Sequence, residues 1–153
     1  MESHFDLLRF KFQEELALKN SLYSIGELIL TYALNSSGAS SAVFLYAAPG
    51  NPYYEKVGSI GLSPEIENEW SRCSRESLLP LSECIRSQKY IEVTKEGGVA
   101  LMAFPLNDTD ITGAGFSVFF SPEKNLIQEE RSFLFWLASL AERAIFNKDG
   151  EGV

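Results

Sequence analysis

Between residues 3 and 19 apolar positions recur at three-and-four spacing. Phe5, Leu8, Phe12 and Leu16 form one stripe and charged residues fill the opposite face, which predicts an amphipathic helix. Asn20 and Ser21 break it. Ser24 followed by Glu27 has capping-box spacing, so a second helix is expected from about Leu22 to Asn35, closed by Gly38. The period then changes. Ser41 to Ala48 is a short apolar run of strand formers, and Pro49, Gly50, Asn51 and Pro52 turn the chain into a second strand from about Tyr54 to Ile60. Ser63 before Pro64 predicts a short polar helix reaching about Cys73, because proline suits the first helical position. Pro80 starts another, with Leu81, Cys84 and Ile85 on its buried face and an end near Gln88.

After a brief strand through Tyr90, Ile91 and Val93 and a turn at Gly97 and Gly98, the chain reaches its most apolar stretch. Val99 to Leu106 and Ile111 to Phe120 flank Asn107, Asp108, Thr109 and Asp110, which reads as an antiparallel hairpin. Phe116, Val118 and Phe120 share one face and belong to the core. Gly113 and Gly115 leave a bare strip where the terminal helix or another backbone packs closely. Asn125 with Gln128 is expected to cap the last helix, and Glu129 and Glu130 suit its positive end. Phe133, Trp136, Leu137, Leu140, Ala141, Ala144 and Ile145 then form a buried face, for which the hairpin is the nearest partner.

A chain of 153 residues that is 45% hydrophobic and 12% aromatic fills a core without disulfides or metal. The net charge of -8, with no basic run, argues against a nucleic-acid partner and an anionic membrane surface. No apolar run has bilayer-spanning length, and MESHFDLLRFKF has no secretory-signal pattern. Cys73 and Cys84 read as reduced thiols, so a cytoplasmic location is expected. Catalysis has little support. The only histidine, His4, lies in the leading helix, away from any nucleophile, and the cysteine spacing matches no zinc site. Cys84 is expected in the core and Cys73 near the surface. Glu65, Glu67 and Glu69 read as a solvated face. We expect no cofactor and no metal.

The stretches SSAVFLYAAPGNPYYEKVGSIGL, PLSECIRSQKYIEV and AFPLNDTDITGAGFSVFF, followed by QEERSFLFWLASLAERAI, resemble the GAF domains, small sensory modules related in architecture to PAS domains. The likeness spans nearly the whole chain after Tyr23. It implies an α+β fold with a central, mostly antiparallel sheet of five to six strands, the N- and C-terminal helices on one face and short helices and loops on the other. It also implies residues 1–20 as a dimerisation helix and 21–146 as the domain, and the polar stretch NKDGEGV with its two glycines is expected to make 147–153 a disordered tail.

In function the resemblance implies a non-catalytic regulatory module of signal transduction. A small-molecule pocket would lie between the sheet and residues 62–88, with Trp70, Arg72, Cys73 and Arg75 as candidate ligands-holders, an aromatic wall and guanidinium suiting a planar or anionic molecule. A homodimer is expected through Phe5, Leu8, Phe12, Leu16, Trp136 and Leu140, with a signalling protein as a further partner. The start at Met1 favours a regulator that acts on a separate protein. Two alternatives stand beside this: a ligand-free dimerisation scaffold, and a cysteine-dependent reductase of free methionine sulfoxide, whose cysteine motif the chain lacks. Neither cysteine is followed by histidine, as bilin attachment in the family requires, and Lys124-Asn125 reverses the order of the cyclic-nucleotide motif.

Overall fold

The computed structural model describes residues 4–71, 73–107 and 113–147. Five strands, β1 (Ser41–Ala47), β2 (Glu55–Ile60), β3 (Ile91–Lys95), β4 (Gly98–Asn107) and β5 (Gly113–Phe119), form one sheet in the order β2-β1-β5-β4-β3. Every neighbouring pair is antiparallel. With its helices the sheet makes the α+β fold expected. Asp108, Thr109, Asp110 and Ile111 of the β4–β5 connection, Arg72, and residues 148–153 of the tail lie outside the described residues.

Alternation along each strand divides the core in two. Ala42, Phe44, Met102, Phe104, Leu106, Ala114, Phe116 and Val118 face α1 (His4–Leu16), α2 (Leu22–Ser37) and α5 (Gln128–Glu142). Val43, Leu45, Ala47 and Ala103 face α3 (Pro64–Ser71) and α4 (Pro80–Ser87). Terminal helices therefore share one face and the short helices the other. On the larger side the Phe116 ring stacks against Phe44 at 6.4 Å and Phe104 at 5.0 Å. α5 buries Phe133, Leu134, Leu137 and Ala141 in the same cluster.

The helix ends depart from the expected spacing. α2 is capped by Ser21, not Ser24: Ser24 N–H donates to Ser21 Oγ at 3.1 Å, and Ser21 N–H donates back to Ser24 Oγ at 3.3 Å. A serine at the third helical position thus fills the role expected of Glu27. α5 begins after Ile127, whose side chain has no acceptor, while Glu130 accepts from Ile127 N–H at 2.9 Å. Asn125 and Gln128 do not form the box, because the helix starts two residues later, with Ile127 as its N-cap and Glu130 at its third position. Lys124 pairs with Glu130 at 2.8 Å and so anchors that carboxylate. Between β3 and β4, Glu96 and Gly97 both have positive φ, 51° and 82°, as a two-residue hairpin turn of type I′ requires.

Candidate functional site

α3 is held to β2 by polar contacts. Lys56 Nζ donates to Glu67 at 2.7 Å and Ser59 Oγ donates to the same oxygen at 3.1 Å. Those hydrogen bonds, Lys56 first, hold the Glu67 carboxyl below its usual pKa. Glu67 is therefore a tether for the helix, not part of the solvated face expected with Glu65 and Glu69. One turn later Trp70 enters the core beneath α3.

Residues 73–77 are stitched to the β1–β2 connection. Tyr54 N–H donates to Cys73 O at 2.8 Å, Arg75 N–H to Pro52 O at 3.0 Å, and the Arg75 guanidinium to Ala48 O. From the other side Arg86 donates to the carbonyls of Arg75 and Ser77 at 2.7 and 3.0 Å. Ser82 Oγ donates to Ser74 O at 3.3 Å, and the Tyr54 hydroxyl to Ser82 O at 3.3 Å. The fold thus brings Trp70, Cys73 and Arg75 to one side of the sheet, while Arg72 lies outside the described residues.

Their arrangement differs from an aromatic wall beside a free guanidinium. Trp70 and Cys73 are each only 4% exposed, and they pack with Val43, Leu45, Leu81, Cys84 and Ile85 in one apolar cluster. The Arg75 guanidinium is turned to the hairpin carbonyl of Ala48, which also accepts from Asn51 N–H at 3.2 Å. Cys73 is buried where a surface position was expected, since the 73–77 stitches draw its backbone under the hairpin. Burial pushes its thiol up, and pushes Cys84 up to about 12. Both thiols are protonated at neutral pH, the opposite of what cysteine-dependent reduction requires. His4 is exposed, in edge contact with the Phe5 ring at 5.3 Å. Among the described residues no group of three or more His, Cys, Asp and Glu is placed to hold a metal ion, and no helix is long and apolar enough to cross a membrane.

The glycine strip of β5 seats α4, not the terminal helix. A Cβ on Gly115 would lie 2.8 Å from Ile85 Cγ1 and 2.9 Å from Phe104 O, and one on Gly113 would lie 3.1 Å from Ile85 Cγ2. Ile85 therefore rests directly on β5. Sequence reasoning missed a third residue of this strand, Ser117, whose fully buried hydroxyl has no hydrogen-bond partner among the described residues. The signal was present: one serine between Phe116 and Val118, at the alternate position that faces α3 and α4.

The six residues expected at a dimer interface are largely engaged within the chain. Phe12 is fully buried, 5.2 Å from the Tyr32 ring and 5.7 Å from Trp136. Phe5 contacts Phe133 at 5.7 Å, and Arg9 lies over the Phe133 and Trp136 rings at 5.7 and 5.6 Å. Leu8, Leu16, Trp136 and Leu140 are partly buried against the same core. The narrow seam of α1 thus turns inward, because α2 and α5 offer it an aromatic bed. Its outward apolar residues are instead Leu7 and Phe10, 42% and 59% exposed. A groove of about 730 Å³ runs between α1 and α2, with Leu8, Lys11, Glu15, Leu28 and Tyr32 among its lining. A polar clamp joins β3 to α5: Arg131 and the Tyr90 hydroxyl donate to Glu92 at 2.7 and 2.5 Å.

The sequence matches no family model and no curated protein. Its structure matches solved structures of GAF domains. The GAF domain of an Acinetobacter phosphoenolpyruvate-protein phosphotransferase aligns over 99% of both chains with a TM-score of 0.74 and 14% identity. That of the Coxiella burnetii phosphoenolpyruvate-protein phosphotransferase covers 97% of this chain and 96% of its own, with a TM-score of 0.71 and 12% identity. The GAF-B domain of DevS from Mycobacterium smegmatis covers 79% of this chain and 90% of its own, with a TM-score of 0.61 and 17% identity. The fold is that of the GAF domains.

Proposed function

We propose that this chain is a non-catalytic, cytoplasmic regulatory module that binds a small molecule on the α3/α4 side of its sheet and acts through its terminal helices as a homodimer. The observation that carries this reading is the division of labour across one sheet. Trp70, Cys73 and Arg75 lie on one face; α5 packs on the other over the stacked Phe44, Phe116 and Phe104, and α1 packs outside it against α2 and α5. A shift of α3 or α4 changes how the strands sit under α5, and rigid packed elements carry such shifts outward. The structural neighbours from phosphotransferases and DevS support a regulatory setting.

Native mass spectrometry of protein purified from its own host tests the ligand claim. A co-purifying small molecule supports it, and a clean apo protein sinks it in favour of the scaffold reading. That second reading has its own support, since Trp70, Leu81, Cys84 and Ile85 already fill the space beneath α3 and α4. The dimer claim is tested at the outward face of α1. Light scattering should show a dimer that Leu7→Ser with Phe10→Ser converts to a monomer. A monomeric parent, or an unchanged mass in the variant, would overturn it.

A further inference from the structure

Among the described residues Ser117 alone has a side-chain hydroxyl that is fully buried on the α3/α4 side of the sheet with no hydrogen-bond partner. Its orientation follows from register. Ser117 pairs with Val43 of β1 and Ala103 of β4, and cross-strand partners share a face. Both partners belong to the cluster beneath α3 and α4. Along its own strand Ser117 is flanked on this face by Gly115 and Phe119, with Ile85 above the glycines.

We propose that the Ser117 hydroxyl is the buried polar anchor of the small-molecule site, and that its ligand is a small uncharged molecule with an apolar body and a single hydrogen-bonding group. The inference rests on the small-molecule reading above and narrows it. Buried polar groups are satisfied by protein, water or ligand, and a hydroxyl left without a partner marks a place for one. The chemistry of the surroundings selects the class. Val43, Leu45, Trp70, Leu81, Cys84, Ile85 and Ala103 carry no charge. An ion placed among them would be stripped of water with no opposite charge inside the cluster, the Arg75 guanidinium being held at Ala48 O on the hairpin. The planar or anionic molecule first expected from an aromatic wall and a guanidinium is thus narrowed to a neutral one. Entry requires α4 to lift from β4 and β5, where Ile85 seats it on Gly113 and Gly115.

Phenol, toluene and benzoate, titrated into isotope-labelled protein and followed by amide NMR, test the proposal. Phenol should perturb Val43, Ala103 and Ser117 saturably, and benzoate should leave them unmoved. In Ser117→Ala phenol should bind about tenfold more weakly, as loss of one hydrogen bond implies, and toluene should bind as before. A thermal melt of the variant confirms that it is folded. Phenol binding to this face with equal affinity in parent and variant overturns the anchor and leaves the small-molecule reading standing, as does benzoate binding as tightly as phenol. If none of the probes binds and a crystal structure shows one ordered water on Ser117 Oγ, the anchor is a water site and the proposal falls. An apo protein from the native host would then remove the small-molecule reading too.

Discussion

Gly26 of α2 lies where the helix crosses the sheet, and its contact with Val57 can be tested quantitatively. A Cβ at Gly26 would sit 2.6 Å from Val57 Cγ1, with the Phe44 ring next nearest at 3.7 Å, so the whole conflict is with one methyl group. Val57 is itself the extra residue of a bulge, since β1 pairs Phe44 with Gly58 and Leu45 with Lys56. Gly26→Ala gains about 1 kcal/mol of helix propensity. It loses about 1–3 kcal/mol to overpacking. The single variant should therefore be destabilised by about 1 kcal/mol. Val57→Ala removes two buried methyl groups, at about 0.8 kcal/mol each plus a cavity contribution, for a loss of about 2 kcal/mol. In the double variant the new methyl enters the vacated space and the helix gain is kept, so the net loss should be within about 1 kcal/mol. The two substitutions should then couple favourably by about 2 kcal/mol. Urea unfolding read from Trp70 and Trp136 fluorescence measures all four corners of the cycle. Additivity within about 0.5 kcal/mol would refute the reasoning, as would a Gly26→Ala variant more stable than the parent.

Three further outcomes follow from the same geometry. Cys84 has a folded pKa raised by burial to about 12, so its contribution is complete below the unfolded thiol value near 9 and is lost as pH rises toward 12. Unfolding free energy should thus fall more steeply above pH 9 in the parent than in Cys84→Ala, by up to about 1.4 kcal/mol per pH unit, and equal slopes would contradict this. For Glu92, burial raises the carboxyl pKa but the bonds from Arg131 and Tyr90 outweigh it and hold it low, so its stabilisation is present above the unfolded value and lost as pH falls through the folded one. Arg131→Met should flatten that acid-side loss, read as melting temperature from pH 6 down to pH 3. Finally, Glu96→Asn should stabilise the β3–β4 hairpin by about 0.5–1 kcal/mol, because asparagine tolerates the left-handed conformation that Glu96 holds at φ 51°; a lower melting temperature would count against that turn assignment.

The elements were legible in the chain because period and punctuation are local properties. The apolar run SAVFLYA, the glycine at 97, the prolines at 64 and 80 and the three-and-four spacing of 133–141 each act within a few residues, and each became the strand, turn or helix they imply. Helix caps were less legible. Ser21 and Glu130 are near neighbours of the residues expected, and only the final backbone path selects which side chain meets the free N–H. Which face of α1 is outward was decided by tertiary structure alone. Phe5 and Phe12 suit a partner helix and an internal bed of Tyr32, Phe133 and Trp136 equally well until α2 and α5 are in place. The candidate site follows the same rule. Sequence placed Trp70, Cys73 and Arg75 in one segment, but their burial, the turn of Arg75 to Ala48 and the unpartnered Ser117 depend on residues far apart in the chain. Local order is written in short spacing; the chemistry of a buried face is set by what the sheet brings together.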